Sequence, residues 1–344
     1  MSDDRLLLIL ESTCDETAAA VVSEQLEVRG SALATQHELH ERFAGVVPEI
    51  ASRAHVEAIL PVVDEALGQA GIELDQIAAI AVATTPGLAG SLLVGLVAAK
   101  TLAAALDVPL VAFNHLEAHI YACQMASEAD VFPCVGLVVS GGHTSLYRCE
   151  SPLEFELLGA TIDDAAGEAF DKVASMLDLG YPGGPAVERA AASGNAGAFA
   201  LPRSLLGAED GLDFSFSGLK TAVRYKIVGP GQVDFQQLRL DGQLVADLAA
   251  SFQAAVVDVL VEKSMRALTT TGLPRLCVGG GVAANTLLRT QLQERCAQSA
   301  HELHIAPLEL CTDNAVMGAI ALERWRAGLV EPLTLDVVAG PLRK

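Results

Sequence analysis

The chain has 344 residues, of which 51% are apolar, 19% charged and 4% aromatic, and its formal net charge is −21. This apolar content excludes a disordered chain, and the length exceeds the limit of about 250–300 residues for a single core, which predicts two domains. Because so acidic a chain repels polyphosphate at long range, a nucleic-acid substrate requires a local basic patch or a basic partner.

Membrane insertion and secretion are not expected. The longest apolar stretch, residues 87–99, is shorter than the about 20 residues of a spanning helix. An acidic start followed by the five apolar residues Leu6–Leu10 does not make a signal peptide. The 7 cysteines show no CxxC spacing, which favours reduced thiols and a cytoplasmic protein.

Short apolar strands alternate with longer helical patterns, which is typical of an α/β fold. The predicted strands are Leu6–Leu10, Ala18–Val22, Ile77–Ala83, Val108–Phe113, Val135–Val139, Thr144–Cys149 and Leu276–Gly279. The predicted helices are Pro48–Leu67, Ser91–Leu106, Gly242–Leu268 and Asn314–Arg326. Residues 6–22 and 135–149 share the order strand, polar turn, strand. This is consistent either with two unrelated hairpins or with a duplicated domain.

Two glycine-rich segments follow predicted strands. In Ser140–Thr144, paired glycines and flanking hydroxyls suit the binding of a phosphate, although such turns are also common for purely structural reasons. Gly279–Gly281 lacks the pattern of a dinucleotide site. Asn285, which follows it, is interpreted either as a ligand to a base or ribose or as a helix N-cap.

His115 and His119 are four residues apart, so on a helix both imidazoles can reach one ion. Glu117 falls on the far side of such a helix, whereas a zinc protease has its acid directly after the first histidine. A third ligand is required, and Asp313 is the best candidate by residue type. Two histidines and one carboxylate leave positions open for a substrate and suit Fe(II) or Zn(II).

Two further segments each allow two interpretations. The helix predicted around Asp171 carries a polar stripe that is either a solvated face or a place where Asp171 meets a ligand. In Phe214–Thr221, aromatics alternate with hydroxyls beside Lys220. This pattern fits either an RNA contact or an edge strand with an inward pair of phenylalanines.

Eight segments carry a family resemblance through their order: Glu11–Thr17, His115–His119, Ser140–Thr144, Asp163–Lys172, Tyr181–Pro185, Phe214–Thr221, Gly280–Asn285 and Cys311–Ala315. Together they closely resemble the bacterial TsaD family, the tRNA N6-adenosine threonylcarbamoyltransferases, over nearly the whole chain. The resemblance implies a duplicated fold like that of actin, sugar kinases and chaperone ATPases. It implies an N-terminal half of residues 1–113 and a C-terminal half of residues 114–325, with a terminal helix of about 326–344 returning to the first half.

The resemblance also implies a reaction and a set of site residues. A threonylcarbamoyl group passes from threonylcarbamoyl-adenylate to N6 of the adenosine next to the anticodon, in tRNAs that read codons beginning with A, and AMP leaves. The implied ligands of an iron or zinc ion are His115, His119 and Asp313. The implied adenylate-binding residues are Val138, Val139, Ser140, Gly141, Gly142, Asp171, Gly184 and Asn285. The residues implied to face a cleft are Glu11, Asp15, Glu16 and Lys220.

The partners implied are tRNA, a catalytically silent TsaB-like paralogue, a small TsaE-like P-loop ATPase and a synthase that supplies the adenylate. Two other functions fit the same fold: a small-molecule kinase and a non-catalytic nucleotide-binding scaffold. A kinase has no need of a site made of two histidines and an aspartate, and a scaffold would tolerate the loss of both histidines.

Overall fold

The computed structural model describes residues 5–40, 43, 45–207, 210–229 and 240–340. The chain forms two compact units, residues 1–130 with 312–344 and residues 131–311. The sequence had led us to expect halves of 1–113 and 114–325. Residues 114–130 and 312–325 instead belong to the first unit, and residues 327–340 form no helix.

Ten strands and eleven α-helices lie in the described residues. The strands are β1 (Leu6–Glu11), β2 (Glu16–Ser23), β3 (Val28–Thr35), β4 (Ile77–Thr85), β5 (Leu110–Asn114), β6 (Cys134–Val139), β7 (Thr144–Ser151), β8 (Glu154–Ala160), β9 (Arg275–Gly279) and β10 (Glu302–Ile305). The helices are α1 (His37–His40), α2 (Pro48–Ala70), α3 (Ala89–Leu106), α4 (His115–Met125), α5 (Ala166–Met176), α6 (Gly183–Ala191), α7 (Ser217–Val228), α8 (Gly242–Thr271), α9 (Thr286–Gln298), α10 (Leu308–Cys311) and α11 (Ala321–Arg326).

Each unit contains a five-stranded sheet, and the two sheets have the same topology. The first has the order β3-β2-β1-β4-β5 and the second the order β8-β7-β6-β9-β10. In each sheet, the three strands that come first in the unit pair antiparallel in succession. The two later strands run parallel to the central strand, which is β1 in the first sheet and β6 in the second. This repetition confirms the duplicated α/β fold and favours duplication over two unrelated hairpins.

The segment that carries the last predicted ligand differs from the expected single helix. Residues Val316–Ile320 form a 3-10 turn that leads into α11. This turn lies close against the first sheet, because a Cβ on Gly318 would come within 2.5 Å of Ile9 and 2.6 Å of Phe113. The segment that follows Cys311 is thereby held beside β1 and β5.

Two helices are long and apolar enough to cross a membrane by length and composition, although we expected no such segment from the sequence. In α8, 72% of the most apolar window is buried, as in a core helix, whereas in α3 the buried share is 33%. One or two such helices are weak evidence for a membrane segment.

Candidate metal centre and glycine-rich loops

Three predicted metal ligands converge in the first unit. Nε2 of His115 lies 3.5 Å and Nε2 of His119 lies 3.2 Å from Oδ1 of Asp313. The ligand atoms of the three residues lie within 4.8 Å of one another, and the two imidazole rings are 4.6 Å apart between centroids. The sequence prediction that these residues share one site is therefore consistent with their positions.

Local capping explains why the three side chains meet. The side chain of Asn114, the last residue of β5, accepts hydrogen bonds from Leu116 N at 2.8 Å and Glu117 N at 3.4 Å, so α4 begins at His115. Both histidines therefore lie in the first two turns of α4, on the same side of the helix. On the other segment, Asn314 Oδ1 accepts a hydrogen bond from Met317 N at 3.0 Å, which fixes the backbone next to Asp313.

The donor set fits a metal ion. His119 is fully buried, and neither of its ring nitrogens makes a hydrogen bond within the described residues. Leaving such a buried polar atom unsatisfied costs about 1–3 kcal/mol. Two imidazole nitrogens and one carboxylate oxygen, with positions left open, match the ligands of Fe(II) or Zn(II).

The other nitrogen of His115 faces residues that sequence reasoning left without a role. Nδ1 lies 3.2 Å from Glu11 Oε2 and 3.2 Å from Thr13 Oγ1. Glu11 Oε1 in turn accepts a hydrogen bond from Thr13 N at 2.8 Å. Because a carboxylate only accepts, Glu11 favours a proton on Nδ1, so that Nε2 is the nitrogen that a metal ion would take.

The charges around the site shift the pKa of each candidate ligand. Burial alone would lower the pKa of His115, but the carboxylates of Asp313 and Glu11 outweigh it and raise that pKa. Burial lowers the pKa of His119. Burial would raise the pKa of Asp313, but the two imidazoles outweigh it and hold that pKa well below its usual range. Asp313 is therefore a carboxylate at neutral pH.

Asp15 and Glu16 form a second group with His37 in the same unit. The ligand atoms of these three residues lie within 4.8 Å of one another. Burial, followed by the charges of Asp313 and Asp15, raises the pKa of Glu16 to about 10. Burial and these charges thus favour the protonated form of Glu16 over the carboxylate.

The predicted phosphate-binding loop lies in the second unit, at the end of β6. Ser140 N donates to His143 O at 2.8 Å, and Ser140 O accepts from Gly167 N at 3.2 Å, so the loop is tied to the start of α5. A Cβ on Gly167 would lie 2.6 Å from Ser140 O, whereas Gly141 and Gly142 are exposed and have open space around them. The backbone of the two exposed glycines is accessible to a ligand.

The remaining predicted adenylate residues already contact protein. Asp171 Oδ1 accepts from Gly183 N at 2.7 Å, next to Gly184. Asn285 is the N-cap of α9, and its amide donates to Gln253 Oε1 at 3.0 Å. The capping interpretation of Asn285 therefore holds. It does not exclude a ligand contact, because an amide oxygen and an NH₂ group can each form a second hydrogen bond.

The RNA-stacking interpretation of Phe214–Thr221 is wrong for the phenylalanines. Phe214 and Phe216 are fully buried and stack on each other with centroids 6.2 Å apart. Lys220 Nζ lies 2.8 Å from Asp164 Oδ2, so its charge is already paired. This segment fixes α7 and presents no aromatic face to a ligand.

A sequence profile of the family described as "TsaD: tRNA N6-adenosine threonylcarbamoyltransferase" matches residues 27–320. A protein of Rhodopirellula baltica named tRNA N6-adenosine threonylcarbamoyltransferase is 57% identical, with 97% of this chain and 96% of the relative aligned. A protein of the same name from Symbiobacterium thermophilum is 51% identical, with 97% of this chain and 96% of the relative aligned.

Solved structures of much lower identity show a similar fold. A HypF structure from T. kodakarensis has a TM-score of 0.62 at 15% identity, covering 95% of this chain and 48% of that chain. The Acidaminococcus fermentans (R)-2-hydroxyglutaryl-CoA dehydratase component A has a TM-score of 0.52 at 13% identity, and the match covers 94% of this chain and 98% of that chain. At these identities the likeness concerns the fold alone.

Proposed function

We propose roles for the residues of each unit from one premise: the chain belongs to the TsaD family of tRNA N6-adenosine threonylcarbamoyltransferases. Its activity is the transfer of a threonylcarbamoyl group to N6 of an adenosine in tRNA. The proposed donor is threonylcarbamoyl-adenylate, with AMP as the leaving group. The proposed acceptor is the adenosine 3′ of the anticodon in tRNAs that read codons beginning with A. The convergence of His115, His119 and Asp313 carries the proposal about mechanism.

In the first unit, these three residues would hold one divalent metal, for which we propose Fe(II), with Zn(II) as the alternative. When bound, such an ion supplies Lewis acidity toward a carbonyl or phosphoryl oxygen. Glu11 keeps the proton of His115 on Nδ1 and so orients Nε2 toward the site.

In the second unit, the ends of β6 and the loop after it would bind the adenylate. The backbone N–H groups of Ser140–Gly142 suit its phosphate, because two exposed glycines allow close approach. Val138 and Val139 shape the strand that leads into the loop. Asp171, Gly184 and Asn285 are assigned to the ribose and base. No residue is assigned as a general base, because the donor is a mixed anhydride from which AMP leaves readily.

Charge supports a requirement for partners. Ten of the described lysines and arginines form ion pairs with carboxylates, as Lys220 does with Asp164. These pairs reduce the positive charge that is open to tRNA phosphates on a chain of net charge −21. We propose that a TsaB-like paralogue and a TsaE-like ATPase supply cationic surface, that a synthase supplies the adenylate, and that the complex is cytoplasmic.

The first unit also presents an apolar surface that suits a partner protein. Val56 and Leu60 on α2 and Leu93 and Val97 on α3 are between 42% and 63% exposed. Because α2 and α3 pack against each other, these side chains belong to neighbouring helices. Exposed apolar side chains grouped in this way indicate a protein contact.

The test is transfer of labelled threonine to unmodified tRNA with ATP, bicarbonate, the synthase and both partners. Label should enter tRNA only when this chain is present and should be lost with His115→Ala. Glu117→Gln is the matched control, because Glu117 lies on the same helix and is not among the ligands. Full transfer by a His115→Ala/His119→Ala double variant would refute the metal site and favour a scaffold.

A further inference from the structure

The loop between β1 and β2 is held by side chains from two helices. His55 of α2 lies with Nε2 3.1 Å from the carbonyl oxygen of Cys14, and Ser91 Oγ of α3 donates to the same oxygen at 3.3 Å. Ser12 Oγ donates to Ser91 O at 2.9 Å. His55 and Ser91 are both fully buried. One backbone carbonyl of the loop is therefore fixed from two directions.

The partners of the His55 ring define its protonation. A carbonyl oxygen only accepts, so Nε2 carries the proton and donates a hydrogen bond to Cys14 O. Nδ1 then accepts from Thr17 Oγ1 at 2.8 Å. Burial, the largest influence, lowers the pKa of His55, which agrees with a neutral imidazole. The ring therefore bridges the loop and the start of β2 in one tautomer.

The same loop positions the candidate metal ligand His115. Thr13 N donates to Glu11 Oε1 at 2.8 Å, while Glu11 Oε2 and Thr13 Oγ1 both lie 3.2 Å from Nδ1 of His115. Thr13 O is itself held by Leu88 N at 2.9 Å. Because Thr13 and Cys14 are consecutive, the contacts that fix the Cys14 carbonyl also restrict the backbone that carries the Thr13 hydroxyl.

We propose that His55 is a positioning residue for the metal centre. By fixing the Cys14 carbonyl, it holds Glu11 and Thr13 against Nδ1 of His115, so that Nε2 of His115 keeps its direction toward Asp313. The inference rests on the proposed function, since it takes His115 to be a ligand. Loss of an outer-shell partner typically weakens metal binding about 10–100-fold. His55 acts one contact further out, so we expect a loss of about tenfold.

The test uses the full chain and Co(II) as the probe, with chelator competition for affinity and the visible spectrum for geometry. His55→Leu removes both hydrogen bonds, and His55→Gln retains a donor in the place of Nε2. Ile59→Ala is the matched control, because Ile59 is buried one turn further along α2. Hydrogen exchange of residues 11–17 reports on the loop directly.

We expect His55→Leu to weaken Co(II) binding about tenfold, alter the spectrum and speed exchange in residues 11–17, with recovery in His55→Gln. Wild-type Co(II) affinity in His55→Leu would overturn the inference alone. So would an equal loss in Ile59→Ala, which would indicate general destabilisation. Wild-type protein that binds no Co(II) would overturn the proposed metal site, and the inference with it.

Discussion

Oδ1 of Asp313 lies 3.2 Å from Nε2 of His119, on a chain segment that returns to the first unit after the whole of the second. By geometry, neither ring nitrogen of this buried imidazole makes a hydrogen bond within the described residues. Folding therefore places a carboxylate beside a buried imidazole nitrogen that has no hydrogen-bond partner. A cation between the two would satisfy both that nitrogen and the carboxylate.

Replacing His119 tests this arrangement most directly. His119→Ala removes one of three donors, and we expect metal binding at least about 100-fold weaker, since even outer-shell losses cost 10–100-fold. The measurement is bound iron or zinc per chain after anaerobic loading. Glu117→Gln should retain its metal. A full complement of metal in His119→Ala would show that the ion binds elsewhere.

Glu11 is expected to act through the tautomer of His115. Glu11→Gln removes the charge that holds the proton on Nδ1, so metal affinity should fall about 10–100-fold while the fold remains intact. Chelator competition measures the affinity, and circular dichroism checks the fold. Unchanged affinity would mean that Thr13 alone orients the ring.

Gly141 in the predicted phosphate-binding loop and Gly167, which packs against that loop from α5, should respond differently to alanine. In Gly167→Ala the new Cβ meets Ser140 O at 2.6 Å, so we expect a stability loss of about 1–3 kcal/mol. Gly141→Ala has open space and should unfold at nearly the wild-type temperature. Thermal unfolding compares them, and equal losses would contradict the close contact between α5 and the loop.

Asp163 should make stability depend on pH. Partial burial would raise its pKa, but hydrogen bonds from the Ser215 and Ser217 hydroxyls and from Phe216 N outweigh it and lower that pKa. The folded state therefore releases the proton of Asp163 more readily than the unfolded state does. The stabilisation by the ionised carboxylate is complete above the pKa of the unfolded state. This stabilisation is lost as the pH falls through the lower pKa of the folded state.

We therefore expect Asp163→Asn to cost about 1 kcal/mol at neutral pH, a modest value because the side chain is exposed. The difference from wild type should shrink as the pH falls below the ordinary aspartate value of about 3.9 and through the lower, folded one. Urea unfolding at a series of pH values measures it. A difference that stays constant to acid pH would refute the charged contribution.

The isolated chain should bind tRNA weakly. Its net charge is −21 and ion pairs with carboxylates reduce its open positive charge, so we expect a Kd of about 1 μM or weaker at physiological salt, as in non-specific binding. Addition of the two partners should tighten it. Filter binding over a salt series measures both, and nanomolar affinity of the chain alone would contradict the requirement for partners.

The strands that sequence analysis found and missed differ in one physical respect. The central strands β1, β4 and β6 are almost wholly buried and read as apolar runs. The missed strands β3, β8 and β10 lie at edges of the two sheets and are at most partly buried, whereas the edge strand β5, which is buried, was predicted. An edge strand that is not buried needs no apolar run, so its sequence resembles that of a loop.

The residues of the candidate site also divide into those that the sequence predicted and those that it did not. The spacing of His115 and His119 was visible because α4 brings both to one side, and Asp313 followed from its residue type. The roles of Thr13 and His55 depend on contacts between distant elements, which no local pattern encodes. The sequence does show a polar residue, His55, on the buried face of an otherwise apolar helix pattern, and that signal could have led to it.

The return of Asp313 to the first unit has a consequence for synthesis. Both histidines and the entire second unit leave the ribosome before this aspartate does. A nascent chain therefore carries both histidines long before it carries all three of the proposed ligands. An interrupted translation product that ends before residue 313 would lack the carboxylate of the proposed metal centre.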